Sequence, residues 1–201
     1  MTGRRVERPN LAGLRVRSAR LSYGGPGRLD VTTRSAHPLG RLFAPSGDLF
    51  RSGSRERQRA ANILLRAAKI GDDHADARER LVEQAQAIED AMWPVYEQGY
   101  LAERRLHAGL VAHRGWDDLS DLEQMAWRRG VRQSPEDWMR LREVAWVEPE
   151  GPLLVFVCFC PEALRHHSHT RTLCHCCSKL GAIDEGEVPL NVQRKQNRNN
   201  A

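Results

Sequence analysis

The feature that most constrains the fold is the unbroken apolar run LLVFVCFC at residues 153–160. Val and Phe are frequent in β-strands, and the run shows no alternation between apolar and polar residues. A strand without alternation is covered on both faces, which is typical of parallel sheets with helices above and below. The run therefore predicts a buried strand in an α/β protein.

The segment after this run concentrates unusual side chains. All five cysteines of the chain and four of its eight histidines lie between residues 158 and 177. The pattern predicts a helix that begins near Ser168 or Thr170 and ends at Gly181. Five cysteines so close together cannot all pair, so the segment favours a metal site, a reactive thiol or ordinary buried cysteines over disulfides.

The two ends of the chain flank a helical middle. Alternation of Leu14, Val16 and Ser18 with arginines predicts a strand, and RLDVTTR predicts a second short one after the turn GGPG. Apolar residues then recur at helical spacing over residues 54–146, where Pro94 should kink or break one helix. We expect an α/β fold: a small sheet built from the N- and C-terminal segments, with a largely helical middle.

Polar segments mark the limits of the folded part. Residues 1–10 form a basic arm and residues 191–201 a polar tail, and both are expected to be disordered around a single domain at 11–190. No apolar run is long enough to span a membrane, and the N-terminus lacks the apolar centre of a signal peptide. We therefore expect a cytoplasmic protein without a membrane partner.

Charge is distributed unevenly along the chain. Residues 1–60 hold 13 Arg and four acidic residues, a net charge of +9, whereas the whole chain carries +5, so the remainder carries −4. This asymmetry favours an anionic partner, either a phosphate-bearing small molecule or a nucleic acid.

Three segments resemble a known family: LRVRSARLSYGGPGRLDVTTRSA, RLFAPSGDLF and LLVFVCFCPEALRHHSHTRTLCHCCSKLGAIDEGE. They are similar to bacterial and phage proteins of domain-of-unknown-function family 488. The motifs that match are Asp30–Val31–Thr32, Phe43–Ser46, Cys158–Phe159–Cys160 and Leu180–Gly181–Ala182. This alignment places Ser168, His169 and Thr170 on the family's Cys-His-Arg helix start, so only the histidine is retained. The resemblance implies the fold and a site, but no particular reaction.

The candidate site lies at the start of the last helix. Ligands of open α/β sheets bind beyond the carboxyl ends of the strands, where the next helix offers free N–H groups. Cys160 lies at such an end, and we expect it to be the nucleophile if the protein is an enzyme, with His169 as acid/base. Ser168 and Arg171 are expected to bind a phosphate-bearing or nucleotide-like ligand.

Three further residues are expected to line the same pocket. Arg17 lies on the first strand, and Asp30 and Arg34 lie at the Asp-Val-Thr motif. Arginine binds phosphate and carboxylate through two parallel hydrogen bonds, so these arginines would hold the anionic group of the ligand. With the family's cysteine and arginine lost, a protein that only binds is the alternative to an enzyme.

A zinc site is a second interpretation of the cysteine-histidine segment. Its ligands would come from Cys158, Cys160, His167 or His169, and Cys174. The spacing argues against zinc, because structural sites use Cys-x2–4-Cys turns whereas the first two cysteines lie in a predicted strand. Cys158, Cys176 and Cys177 are more typical of core positions. No other cofactor is predicted.

A third interpretation is a helix-turn-helix that binds nucleic acid. The segment LEQMAWRRGVRQSPEDWMRLREV has an Ala126 to Gly130 spacing followed by a second helix. That second helix should begin at Pro135, with Ser134 as its cap. Glu136 falls where the motif usually has a buried aliphatic residue, which argues against the motif and favours a plain helical pair.

Overall fold

The computed structural model describes residues 9–107, 135–158 and 168–189. Within these ranges the chain forms five strands and five α-helices. In chain order they are β1 Arg15–Arg20, β2 Arg28–Asp30, α1 Pro38–Phe43, α2 Gly47–Ala67, α3 Ala75–His107, α4 Pro135–Glu143, β3 Trp146–Glu148, β4 Gly151–Cys158, α5 His169–Lys179 and β5 Ile183–Glu187. The predicted α/β fold is confirmed. Most of the predicted arm and the whole predicted tail lie outside the described residues.

Strand β4, the predicted apolar strand, is the centre of the sheet. The order is β2-β4-β1-β5, and β1 and β2 both run parallel to β4. Strand β5 is parallel to β1, whereas β3 pairs antiparallel with the first residues of β4. Register pairs Arg15 with Leu153 and Arg20 with Cys158. The sheet is therefore built from the two ends of the chain, as predicted.

One face of the sheet carries the main hydrophobic core. Val16, Leu154 and Phe156 are fully buried on this face, together with side chains from α1, α3, α4 and α5. Those helical residues include Phe43 and Trp138, whose rings meet edge to face at 4.9 Å. Burial of each such side chain stabilises the fold by about 2 kcal/mol. The core thus fixes the last helix against β1 and β4.

The connection between β1 and β2, residues 21–27, crosses over and covers the other face of the sheet. Because β1 and β2 lie on opposite sides of β4, residues 21–27 must pass over that strand. Tyr23 packs in a cluster with Val155 and Val157, and its hydroxyl donates to the carbonyl of Pro26 at 3.1 Å. Gly27 ends the crossing at φ +68°, and a Cβ there would overlap the carbonyl oxygen of Leu153. The crossing therefore depends on glycine and replaces the usual crossover helix.

Helices α2 and α3 form a long antiparallel hairpin that extends from the core. Helix α2 begins at Gly47, earlier than the predicted start at residue 54, because the Ser46 hydroxyl caps it by accepting from the Leu49 N–H at 3.2 Å. Helix α3 continues through Pro94, so of the predicted kink or break the break does not occur. Burial of Trp93 and Tyr96 on either side of the proline holds the helix in place. None of the described helices is long and apolar enough to cross a membrane.

A buried ion pair ties α3 to the corner between α1 and α2. Glu103 and Arg104 are 3% and 2% exposed, and their side chains are 3.4 Å apart. Arg104 also donates to the carbonyl of Ala44 at 3.1 Å, and Glu103 accepts from the backbone N–H of Ser46 at 3.1 Å. Tyr100, one turn earlier, donates to the carbonyl of Phe43 at 2.7 Å. These bonds fix the part of α3 that faces the last helix.

Candidate functional site

The carboxyl ends of β1 and β4 meet the N-terminus of α5, where the sequence predicted a site. A small cavity of about 10 Å³ lies there, between Ser18 and Arg20 of β1, Cys158 of β4 and Thr170 of α5. It adjoins an open cleft of about 330 Å³ that shares three of the residues around the cavity, Ser18, Ser168 and Arg171. We call the two together the strand-end cleft.

A buried cluster of one thiol and two hydroxyls forms the floor of this cleft. The Ser168 Oγ is 2.7 Å from the Thr170 Oγ1 and 3.2 Å from the Cys158 Sγ. Ser168 has an extended backbone and caps α5 by accepting from the backbone N–H of Thr170 at 3.3 Å. The predicted helix start is therefore confirmed. Each of the three groups has a hydrogen-bond partner within the cluster, and these bonds compensate for the burial of their polar atoms.

His169 joins the start of α5 to the end of β2. Its Nε2 is 3.2 Å from the carbonyl oxygen of Val31, and its ring packs 5.6 Å from the ring of Tyr100. Because a carbonyl only accepts, Nε2 carries a proton, which in the neutral ring leaves Nδ1 as an acceptor. Nδ1 is buried and has no hydrogen-bond partner among the described residues. His169 therefore keeps one unused acceptor at the start of the helix.

Two arginines bring positive charge to the cleft. Arg20 ends β1, and Arg171 lies exposed in the first turn of α5. Both line the small cavity, as does the carboxylate of Glu187. The positive end of the α5 helix dipole adds to this charge, although the N–H groups of Thr170, Arg171 and Thr172 already donate to Ser168. The mouth of the cleft thus suits an anionic group of low total charge.

The structure places Arg17, Asp30 and Arg34 elsewhere. Successive strand residues point to opposite faces, so Arg17 lies on the other face from Ser18. Its Nε donates to the Glu185 carboxylate at 2.6 Å. The Asp30 carboxylate accepts from the backbone N–H of Thr32 at 2.8 Å, and Arg34 is exposed in the following turn. None of the three is among the residues that line the strand-end cleft. The predicted pocket shared with Cys160 stays a prediction, because Cys160 lies outside the described residues.

The predicted nucleophile, Cys160, lies outside the described residues, as do His167 and most of the helix-turn-helix segment. Residues 168–189 and the other described ranges contain no group of three His, Cys, Asp or Glu side chains placed to hold a metal ion. Burial raises the pKa of the Cys174 and Cys177 thiols well above the usual value. At neutral pH these two cysteines are therefore protonated and poor ligands or nucleophiles.

Several residues of the cleft escaped the sequence analysis. Glu97 and Trp93 come from α3, and Glu97 accepts from the Thr172 hydroxyl at 2.7 Å. No local pattern marks these two, because their position depends on how α3 packs against α5. Ser18 and Arg20 could have been found from the sequence, because the alternation of β1 places them on the same face as Leu14 and Val16, at the end of the strand.

Comparisons with protein-family models, with curated proteins and with solved structures gave no match for this chain. The resemblance to family 488 therefore stays a prediction that rests on the sequence motifs.

Proposed function

We propose that this protein binds a phosphate-bearing, nucleotide-like ligand in the strand-end cleft. The observation that carries the proposal is the convergence of Arg20, Arg171 and the N-terminus of α5 at the carboxyl ends of two parallel strands. Proteins commonly hold phosphate with arginine side chains and with the positive end of a helix dipole.

The volumes indicate where the phosphate lies. A cavity of about 10 Å³ holds roughly one water molecule, which is too small for a phosphate. The phosphate must therefore lie in the adjoining cleft, where Ser18, Ser168 and Arg171 are shared by both spaces. The small cavity would then hold a water bridging the phosphate to Arg20.

The remainder of the cleft limits the kind of ligand. A volume of about 330 Å³ is at the small end of ligand pockets, sufficient for a mononucleotide or a sugar phosphate. Trp93 adds a small apolar part to the lining, since it is only 6% exposed, and the carboxylates of Glu97 and Asp184 can accept from sugar hydroxyls. These carboxylates also repel additional negative charge. The cleft therefore favours one phosphate over a diphosphate or triphosphate.

A titration with inorganic phosphate, ribose 5-phosphate and the common nucleoside monophosphates, followed by calorimetry, tests this proposal. We expect Arg171→Gln to weaken binding about tenfold or more, since it removes a charged hydrogen bond to phosphate. Arg34→Gln is the matched control, because it removes an exposed arginine outside the cleft. Equal affinities in the two variants, or no binding at millimolar ligand, would refute the cleft as the site.

Cysteine-dependent chemistry is a second candidate, favoured by the unused Nδ1 acceptor of His169. A histidine acceptor close to a thiol can take its proton and generate the thiolate nucleophile. Cys158, Cys174 and Cys177 are at most 3% exposed and should react slowly with iodoacetamide. We expect one fast-reacting thiol at neutral pH, which is lost in Cys160→Ser and slowed in His169→Gln. Fast alkylation that persists in Cys160→Ser would rule out this candidate.

A further inference from the structure

Arginines of helix α2 lie on two different sides of the helix. Arg57 lies over the rings of Trp93 and Tyr96, at 5.2 and 4.9 Å, and its Nε is 3.6 Å from the buried carboxylate of Glu89. This arginine is part of the packing between α2 and α3. It is therefore unavailable to a ligand.

Three other arginines of α2 lie along a different side of the helix. Arg55, Arg59 and Arg66 are spaced by four and seven residues, which places them on one face of a helix. All three are exposed. The described residues offer Arg59 a single acid, Glu56 at 3.9 Å, in a pair that solvent screens almost completely, and they offer Arg55 and Arg66 none. A persistent, unneutralised row of guanidinium groups results.

These arginines line a groove of about 550 Å³ between α2 and α3. The rest of its lining is three carboxamides, Gln58, Asn62 and Gln84, around the side chain of Ile63. No carboxylate belongs to this lining, although α3 is rich in acidic residues. We call this surface the arginine groove. Its composition differs from that of the strand-end cleft, where three carboxylates offset the arginines.

The length of the row indicates a polymeric ligand. At 1.5 Å per residue, Arg55 and Arg66 are roughly 16 Å apart along α2. A single phosphate cannot contact both, whereas phosphates along a nucleic-acid strand recur about every 3.4 Å of duplex axis. Arginine forks bind phosphate oxygens, and Asn and Gln side chains can hydrogen-bond base edges. We propose that the arginine groove binds a nucleic-acid strand, independently of the ligand in the strand-end cleft.

The test is fluorescence anisotropy of the full chain with a labelled 30-nucleotide strand, prepared as single-stranded DNA, as duplex DNA and as RNA. The variant Arg55→Gln/Arg59→Gln/Arg66→Gln should lose tenfold or more of its affinity at low salt. Its plot of log affinity against log salt should flatten by about two to three units, because three phosphate contacts are removed. Which of the three probes binds best identifies the natural form of the strand.

The matched control is Arg41→Gln/Arg80→Gln/Arg140→Gln, which removes the same formal charge from exposed positions outside the groove. Equal losses in both triple variants would mean a diffuse charge effect and would overturn the proposal. The proposal would also be overturned if no nucleic acid bound at low salt, or if heparin bound with the same affinity as nucleic acid. Loss of nucleic-acid binding in Arg171→Gln alone would assign it to the strand-end cleft instead. Circular dichroism verifies that both triple variants remain folded.

Discussion

Replacing Ser168 by alanine should destabilise the protein by about 2 kcal/mol. Loss of an N-cap hydroxyl costs about 1 kcal/mol. The same substitution removes the 2.7 Å hydrogen bond to the buried Thr170 hydroxyl and the 3.2 Å contact with the Cys158 thiol, and leaving these groups less satisfied costs about 1 kcal/mol more. For a chain of 201 residues this corresponds to a decrease in Tm of roughly 4 to 8 °C.

Urea unfolding followed by circular dichroism measures this loss in the absence of ligand. Ser178→Ala is the matched control: it deletes the same hydroxyl near the other end of α5, where the Oγ donates to the His175 carbonyl at an exposed site, and it should change stability by less than about 0.5 kcal/mol. The double variant Ser168→Ala/Thr170→Val should lose less than the sum of its two single variants, because the two hydroxyls satisfy each other. Additive losses, or a Ser168→Ala variant as stable as Ser178→Ala, would refute the buried cluster.

Two further predictions concern the sheet. Gly40→Ala should destabilise the protein by several kcal/mol in the same urea assay, because its Cβ would overlap the carbonyl oxygen of Asp30; a loss below about 1 kcal/mol would show that α1 can shift away. Hydrogen bonds from Arg15 and Arg17 lower the pKa of Glu185, so its carboxylate adds stability above its unfolded pKa and loses it as the pH falls through the folded one. The wild type should therefore lose more stability than Glu185→Gln between about pH 6 and pH 3, and identical acid profiles would contradict this ion pair.

The parts of the fold that were predicted correctly have strong local signals. The apolar run up to Cys158 was predicted to form a strand buried on both faces, and both of its faces are buried. The last helix was predicted to begin near Ser168 or Thr170, and Ser168 is its cap; Pro135 begins α4 as predicted. Such local chemistry is visible in sequence without knowledge of the neighbours.

The parts that were missed depend on distant partners. Strand β5, with sequence IDEGE, is largely exposed and has no apolar alternation, so only pairing with β1 makes it a strand. Without β5, the partner of Arg17 was invisible, and Arg17 was assigned to the ligand instead of to Glu185. Pro94 was expected to kink or break a helix, and the break does not occur, because propensity takes no account of the packing that maintains α3.

The position of β4 between β1 and β2 has a consequence for the order of folding. The two parallel neighbours of β4, strands β1 and β2, come from the first 30 residues, yet neither can pair with β4 until residues 151–158 have been synthesised. Such contacts between distant parts of the chain slow folding. During translation the segments that form β1 and β2 therefore remain unpaired with β4. The helical hairpin α2–α3 has more local contacts and can assemble first. A chain truncated before β4 would lack the strand with which both β1 and β2 pair.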